Sequence, residues 1–380
     1  MSLHSTLRVV ADYIYTLLAS PWLLTHFVWD VLLCLPPWTR PHRAWSAEQG
    51  IRMRIVKLVL HYWSLTRAGD RLTLLPGSEG NRFEPITAFP ADLYRGPLSD
   101  PSIQPGKLGL TWTPARPPPA ALVKPELIVD LHFHGGGFAI GNGRDSDTGY
   151  LAKTLLRHMG CTHVCTPQYR LSSHKGCRFP SQLQDAVTSY VYLLRERRIP
   201  ARQIIFSGDS AGANLALGLL RYIHEYGEEL DLPAPGAVAL WSPWVDVSGA
   251  LHQDMRISPH YGTDYLNRAF GRWGAETVTD GGAIDAGGPY LSPLHHPFKL
   301  DADVPIFING GDREVLSDDI REFTKRYTVE GCNVHLVMSR GCPHDAILLG
   351  DRMGFGREAE AAAREAREFL LRASTLYLRT

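Results

Sequence analysis

From residue 126 onward, short apolar runs alternate with longer amphipathic ones. The runs "ELIVDLHFH" (126–134), "CTHVCTPQY" (161–169), "QIIFSGDS" (203–210), "GAVALWSP" (236–243), "VPIFING" (304–310) and "VHLVMS" (334–339) have strand length and strand-like composition. Between them, Asp145 to Met159, "FPSQLQDAVTSYVYLLRER" (179–197), "AGANLALGLLRYIHEYG" (211–227), a segment from about Asp318 and an Ala/Glu-rich C-terminal stretch read as helices. This alternation predicts an α/β fold with a mostly parallel central sheet covered by helices on both faces. Residues 247–300 break the rhythm. Their aromatics and glycines follow no period, and they read as an insertion over the strand ends, the edge where open α/β sheets bind ligands.

The first 95 residues are patterned differently. They are expected to form a helical segment, serving as a cap or as a membrane attachment, ahead of a main domain over 96–380. Val9 to Leu35 is long enough to cross a bilayer. Pro21 divides it, however, and Asp12, Thr16, His26 and Asp30 fall within roughly 40° of one line of a helix. A span would bury two aspartates at about 2.5 kcal/mol or more each near its centre. A narrow polar stripe on a wide apolar surface suits an interfacial helix, and equally a helix packed on its own protein. Span, interfacial attachment and cap therefore all stay open for residues 9–35. A cleaved signal peptide is not expected, because Arg8 alone makes a thin positive region. The next segment, "SAEQGIRMRIVKLVLHYWSLTRAG" (46–69), opens with a capping box, Ser46 to Gln49. Ile51, Ile55, Leu58, Tyr62 and Leu65 are expected to lie over a core, with Arg54, Lys57 and His61 as a solvated cationic edge.

Charge narrows the partners. Lys plus Arg and Asp plus Glu both number 39, so nothing is built to neutralise a phosphate backbone, and nucleic acid is set aside as a partner. The six cysteines form no C-x-x-C pair, and no Asn-x-Ser/Thr sequon occurs. Both facts fit an intracellular setting, in the cytoplasm or on an internal membrane such as the endoplasmic reticulum, better than secretion. No internal repeat is present, and the proline-dense "TPARPPPAALVKP" (113–125) reads as a linker.

The chemistry begins at Gly208-Asp209-Ser210-Ala211-Gly212, a G-x-S-x-G placed where a strand ends and a helix begins. A sharp turn there projects the serine hydroxyl out of the sheet, and the flanking positions must be small. The competing reading is a plain strand-to-helix turn with a serine N-cap. Attack by a serine on a carbonyl creates an oxyanion that needs donors already aimed at it. The run "HGGGF" (134–138) meets that need, because glycines let bare backbone approach. The Gly136 and Gly137 amides, with that of Ala211, are expected to form the oxyanion hole, supported by Gly135, while His134 fixes the loop. Two rival readings of this run compete with that one. His132 and His134 as half a metal site lack supporting ligands. A phosphate cradle in "GGGFAIGNG" lacks the P-loop lysine.

Taken together, "HGGGF", "YRL" (169–171) with Pro180 and Asp185 downstream, "GDSAGAN" (208–214), "SPWVD" (242–246), "YLSP" (290–293) and "HDA" (344–346) resemble the hormone-sensitive-lipase family of α/β-hydrolases, in family order. The resemblance implies an α/β-hydrolase fold, a cap built partly from the N-terminus, and no metal or other cofactor. The proline-broken apolar leader resembles that of fungal members with biosynthetic or detoxifying roles.

In α/β-hydrolases the order runs serine, acid, histidine. His344 follows the last strand, whereas His335 lies in that strand and His295 and His296 precede the acid region. The family usually shows Asp-Pro-Leu, one residue, then Asp. In "INGGDREVLSDD", Leu316 and Asp318 keep that spacing and place Glu314 at the acid position, with Asp312 as runner-up. Asp318 and Asp319 are expected to serve the next helix. The expectation is a serine carboxylesterase acting on small or short- to medium-chain esters. The alternatives are an amidase, formamidase or biosynthetic acyl-hydrolase with the same triad, or a non-catalytic small-molecule receptor.

Overall fold

The computed structural model describes residue 25 and residues 27–118, 126–299 and 304–373. Among these, eight strands form one sheet in the order β1-β2-β4-β3-β5-β6-β7-β8. They are β1 Phe83–Ile86, β2 Leu108–Thr113, β3 Val129–Phe133, β4 His163–Gln168, β5 Ile204–Asp209, β6 Ala237–Trp241, β7 Ile306–Gly311 and β8 Val334–Ser339. The runs read as strands are β3 to β8, and they pair in parallel. The sequence reading missed β1 and β2, which add antiparallel pairings at one edge. β1 lies within the first 95 residues, is four residues long and contains Pro85, so it carries no strand period.

The helices are α1 Ala47–Thr66, α2 Asp145–Thr154, α3 Ser181–Val191, α4 Ala211–Leu230, α5 Val247–His252, α6 Arg268–Val278, α7 Ser317–Val329, α8 Ala346–Met353 and α9 Gly356–Ala373. Successive strand residues point to opposite faces, and both faces are packed. Val238 and Leu240 join a core with α3, α4 and α7, while Ala237, Ala239 and Trp241 join a second core under α2 and α9. Burial on both sides is why β6 and the starts of β5 and β7 read as apolar runs, while β3 and β4 bury polar residues as well.

Residues 247–300 supply α5 and α6, and α6 packs on α1. The Ser46 capping box forms as read, but the buried side of α1 is Met53, Leu60 and Ser64. Ile55 and Leu65, expected in the core, are exposed. Arg54 is no solvated edge either: it pairs with Asp30 at 3.1 Å. Periodicity locates a core face only when a helix has one packed side. Here residues 27–34, α6 and α8 all crowd α1. Residues 9–24 and 26 of the apolar leader lie outside the described residues.

Hydrogen bonds stitch the distant motifs together. Asn214 Nδ2 donates to the Trp244 and Leu291 carbonyls at 2.7 and 2.8 Å. Ser292 Oγ donates to Asp246 at 3.0 Å. Arg170 grips the fully buried Asp185 through its backbone N–H (2.8 Å) and through Nη2 (2.8 Å). A buried pair of this kind is costly to break from one side, because an uncompensated charge remains. Asp185→Ala should therefore lose about 3 kcal/mol in urea unfolding, and adding Arg170→Met should recover most of it. A single mutant as stable as the wild type would show that the pair carries no such weight.

Candidate active site

β5 ends at Asp209 and α4 begins at Ala211, so Ser210 alone makes the turn. It does so at φ 51° and ψ −117°, a region a non-glycine residue rarely occupies. The crowding behind the turn explains the neighbouring glycine: a Cβ on Gly212 would lie 1.9 Å from the Phe133 carbonyl oxygen. Ser210 is the N-cap of α4, yet its side chain makes no capping bond. Its hydroxyl is therefore not spent on the helix, as the N-cap reading required.

The glycine loop folds beside this turn. Gly136 sits at φ 103°, and a Cβ there would meet the Ile140 carbonyl oxygen at 2.2 Å. That carbonyl belongs to the same loop, so glycine is needed first for the loop to close on itself. The Gly135 N–H is taken by Asp209 Oδ2 at 2.8 Å. The amides of Gly136, Gly137 and Ala211 have no acceptor among the described residues. His134 is held rather than free. Its Nδ1 bonds the Gly135 carbonyl at 2.7 Å, its ring stacks on Tyr169, and burial pushes its pKa down. The Tyr169 hydroxyl in turn donates to the His134 carbonyl at 2.6 Å. His132 lies inside β3, between Ser207 Oγ (2.8 Å) and Asp209 Oδ1 (2.9 Å). Both rings are thus engaged with protein groups. Among the described residues, no cluster of three His, Cys, Asp or Glu side chains is placed to hold a metal.

The two acid candidates separate cleanly in space. Glu314 Oε2 lies 3.0 Å from His344 Nδ1, and both side chains are buried. Asp312 points elsewhere: its Oδ1 accepts the Gly341 N–H at 2.6 Å and shapes that turn. Asp318 and Asp319 occupy the first turn of α7. Burial opposes charge on His344, but the Glu314 bond and charge, with Asp264 and Asp209, outweigh it and hold its pKa above the ordinary value. Burial raises Glu314 above its ordinary value, and its bond to His344 counters this only in part. Ser210, Gly136 and His344 line one cleft of about 260 Å³, walled by Val56 and Leu60 of α1 and by Leu266 and Phe270 of the insertion.

A family profile described as the alpha/beta hydrolase fold matches residues 131–348. The chain belongs to that family. The motifs that resemble the hormone-sensitive-lipase family, His134 to Ala346, all fall inside the matched residues, so the resemblance to α/β-hydrolases holds. A Streptomyces hygroscopicus protein named acetyl-hydrolase is 32% identical over 194 residues, 50% of this chain and 58% of that protein. An Acinetobacter venetianus protein named esterase is 26% identical over 214 residues, 56% of this chain and 65% of its own length. The match thus spans less than two thirds of either relative. The solved structure of an esterase from the bacterial hormone-sensitive lipase family superposes with a TM-score of 0.60 at 22% identity, covering 87% of this chain and 99% of that one. At that identity the likeness speaks for the fold.

Two buried carboxylates at the site escaped the sequence reading. Asp264 comes from the insertion that showed no period. Asp345 follows His344 in the HDA motif, whose pattern alone gives it no role. Burial, with Asp209 beside it, pushes Asp345 well above the usual carboxylate range.

A base must be neutral to take a proton. Activity should therefore fall with decreasing pH, with kcat/KM breaking above the ordinary histidine value of about 6.5. Glu314→Gln should cut kcat by about 10³ to 10⁴ and move that break to lower pH, since burial then acts on His344 with less opposing charge. Asp312→Asn should cost about tenfold or less. A crippled Asp312→Asn enzyme beside a near-normal Glu314→Gln enzyme would reverse the assignment.

Proposed function

We propose that this chain is a serine carboxylesterase that cleaves esters of small or short- to medium-chain acyl groups. One observation carries the reading: a single cleft gathers an uncapped Ser210, an imidazole bonded to a buried carboxylate, and the Gly136 amide, which has no acceptor among the described residues. Ser210 Oγ attacks the acyl carbon and His344 takes its proton. The Gly136, Gly137 and Ala211 N–H groups receive the oxyanion. As the tetrahedral adduct collapses, His344 returns the proton to the leaving alcohol. Water then repeats the attack on the acyl-enzyme and releases the acid. Glu314 holds the imidazole in the required tautomer and steadies its charged form. No step calls for a metal or other cofactor.

The names of the two relatives, acetyl-hydrolase and esterase, support ester hydrolysis. The cleft volume of about 260 Å³ lies at the small end of ligand sites. Its walls are mainly apolar, which supports a small apolar ester. Ser210→Ala should lower kcat on p-nitrophenyl acyl esters by about 10⁴ to 10⁶, and a fluorophosphonate should label Ser210 alone. Absence of both turnover and labelling in the wild type would favour a receptor.

The same reading treats residues 1–95 as cap and attachment for a hydrolase body over 96–380, with residues 9–35 lying on a membrane surface. Residues 27–34 are helical and lie along α1, where Asp30 meets Arg54 and a Cβ on Gly50 would touch Cys34 Sγ at 3.0 Å. Their outer side exposes Val28, Trp29, Leu32 and Leu35, followed by Trp38. Among the described residues, no helix is long and apolar enough to cross a membrane. Exposed tryptophans beside an apolar leader suit the lipid–water interface. The six cysteines are unpaired, which supports a location inside the cell. The full chain should float with phospholipid vesicles, be released by alkaline carbonate, and bind about tenfold or more weakly as Trp29→Ser/Trp38→Ser. Carbonate resistance would instead support a span, and unchanged flotation of the double variant would move the contact elsewhere.

A further inference from the structure

We infer that Thr263 and Asp264, in the insertion, are positioning residues that set the spacing of acid and base and tie it to helix α1. The inference rests on the esterase reading, but its geometry stands apart. Asp264 is fully buried. Its Oδ2 accepts the Val315 N–H at 2.7 Å, and its Oδ1 accepts the N–H groups of His344 and Leu266, each at 3.3 Å. One residue earlier, Thr263 Oγ1 donates to the Arg313 carbonyl at 2.9 Å. Glu314 is thus gripped through the peptide groups on both sides of it. The carboxylate that grips one side also reaches the backbone of His344. The adjacent Tyr265 ring packs edge-on against the His344 ring, with centroids 5.6 Å apart.

The bracket is anchored from the cap. Lys57 Nζ of α1 donates to the Asp264 carbonyl at 2.8 Å and to the Tyr261 carbonyl, and it lies over the Tyr261 ring. A chain of direct contacts therefore runs from α1, through residues 261–264, to the Glu314–His344 pair. An aspartate suits the task because two oxygens can accept three amides. Asparagine would turn a donor toward some of those N–H groups. The 3.0 Å bond between Glu314 and His344 closes two loops that are separate in sequence, and an error of about 1 Å in such a geometry can cost a hundredfold in rate.

Turnover of p-nitrophenyl butyrate by the wild-type full chain, blocked by fluorophosphonate, tests the esterase reading first. Asp264→Asn should then lower kcat about 10- to 100-fold with KM within about twofold. Its acid-side break in kcat/KM should move to lower pH, because a charge that supports the imidazolium with Glu314 and Asp209 is removed. Should Asp264→Asn fail to fold, the hydroxyl pair decides. Thr263→Val should lower kcat severalfold while Thr263→Ser stays near the wild type, and Lys57→Met should lower kcat without changing which serine is labelled. A low-field proton NMR signal from the His344 Nδ1–H, present in the wild type and shifted or lost in Asp264→Asn, reads the bracket even in a chain without turnover. A folded Asp264→Asn protein with wild-type kcat and pH profile would overturn the inference, as would Thr263→Val and Thr263→Ser behaving alike.

Discussion

Ser210 holds φ 51° and ψ −117°, a conformation that costs a non-glycine residue about 1–3 kcal/mol and survives only when the surroundings enforce it. The enforcement is visible. The Ser210 N–H donates to the Trp241 carbonyl at 2.9 Å, and its own carbonyl accepts the Trp244 N–H at 3.1 Å. β5 runs between β3 and β6 in the middle of the parallel sheet, so the turn cannot relax without disturbing both neighbours. The glycine loop leaves the end of β3 beside it, and the acid and histidine loops leave β7 and β8 on the same edge. Parallel topology alone brings these segments together, since every strand from β3 to β8 ends on one side.

Burial then sets the chemistry. Asp209, Asp264, Glu314 and Asp345 are all buried, and together they would repel one another were each not held. Burial opposes charge on Asp209, but its bond from His132 outweighs that and keeps it below the usual range. Asp345 moves the other way, pushed well above the usual range by burial and by the Asp209 charge beside it. The charge left on Asp209, Asp264 and Glu314 favours the imidazolium of His344, the state a triad histidine must pass through. A protein interior normally penalises such a cation. Here the surrounding carboxylates offset the penalty.

Helix α1 participates in this balance. α1 walls the cleft with Val56 and Leu60, and its Lys57 seats the segment that brackets Glu314. Burial lowers Lys57 to about 8 despite the nearby Asp264 charge, the signature of an ammonium sunk among carbonyls. The cleft wall and the Lys57 contact thus share one helix, so on the esterase reading a change that reshapes the cleft through α1 would also act on Glu314 and His344.

The sequence by itself determined the parallel body. β3 to β8 and the helices between them were legible because burial on both faces writes long apolar runs. The serine turn and the glycine loop were legible because their backbone shapes admit few residue types. Glu314 could be ranked above Asp312 on the spacing of Leu316 and Asp318, but two residues of one turn differ only in where they point, and the Gly341 amide and the His344 ring settle that in space. The edge strand β1 was hidden by its shortness and by Pro85, and its neighbour β2, six residues long, went unread with it. The packed side of α1 was misread because three neighbours surround it. Thr263 and Asp264 left no trace at all. Their partners are peptide groups about 50 and 80 residues away, and backbone amides look the same at every position until folding chooses which of them meet.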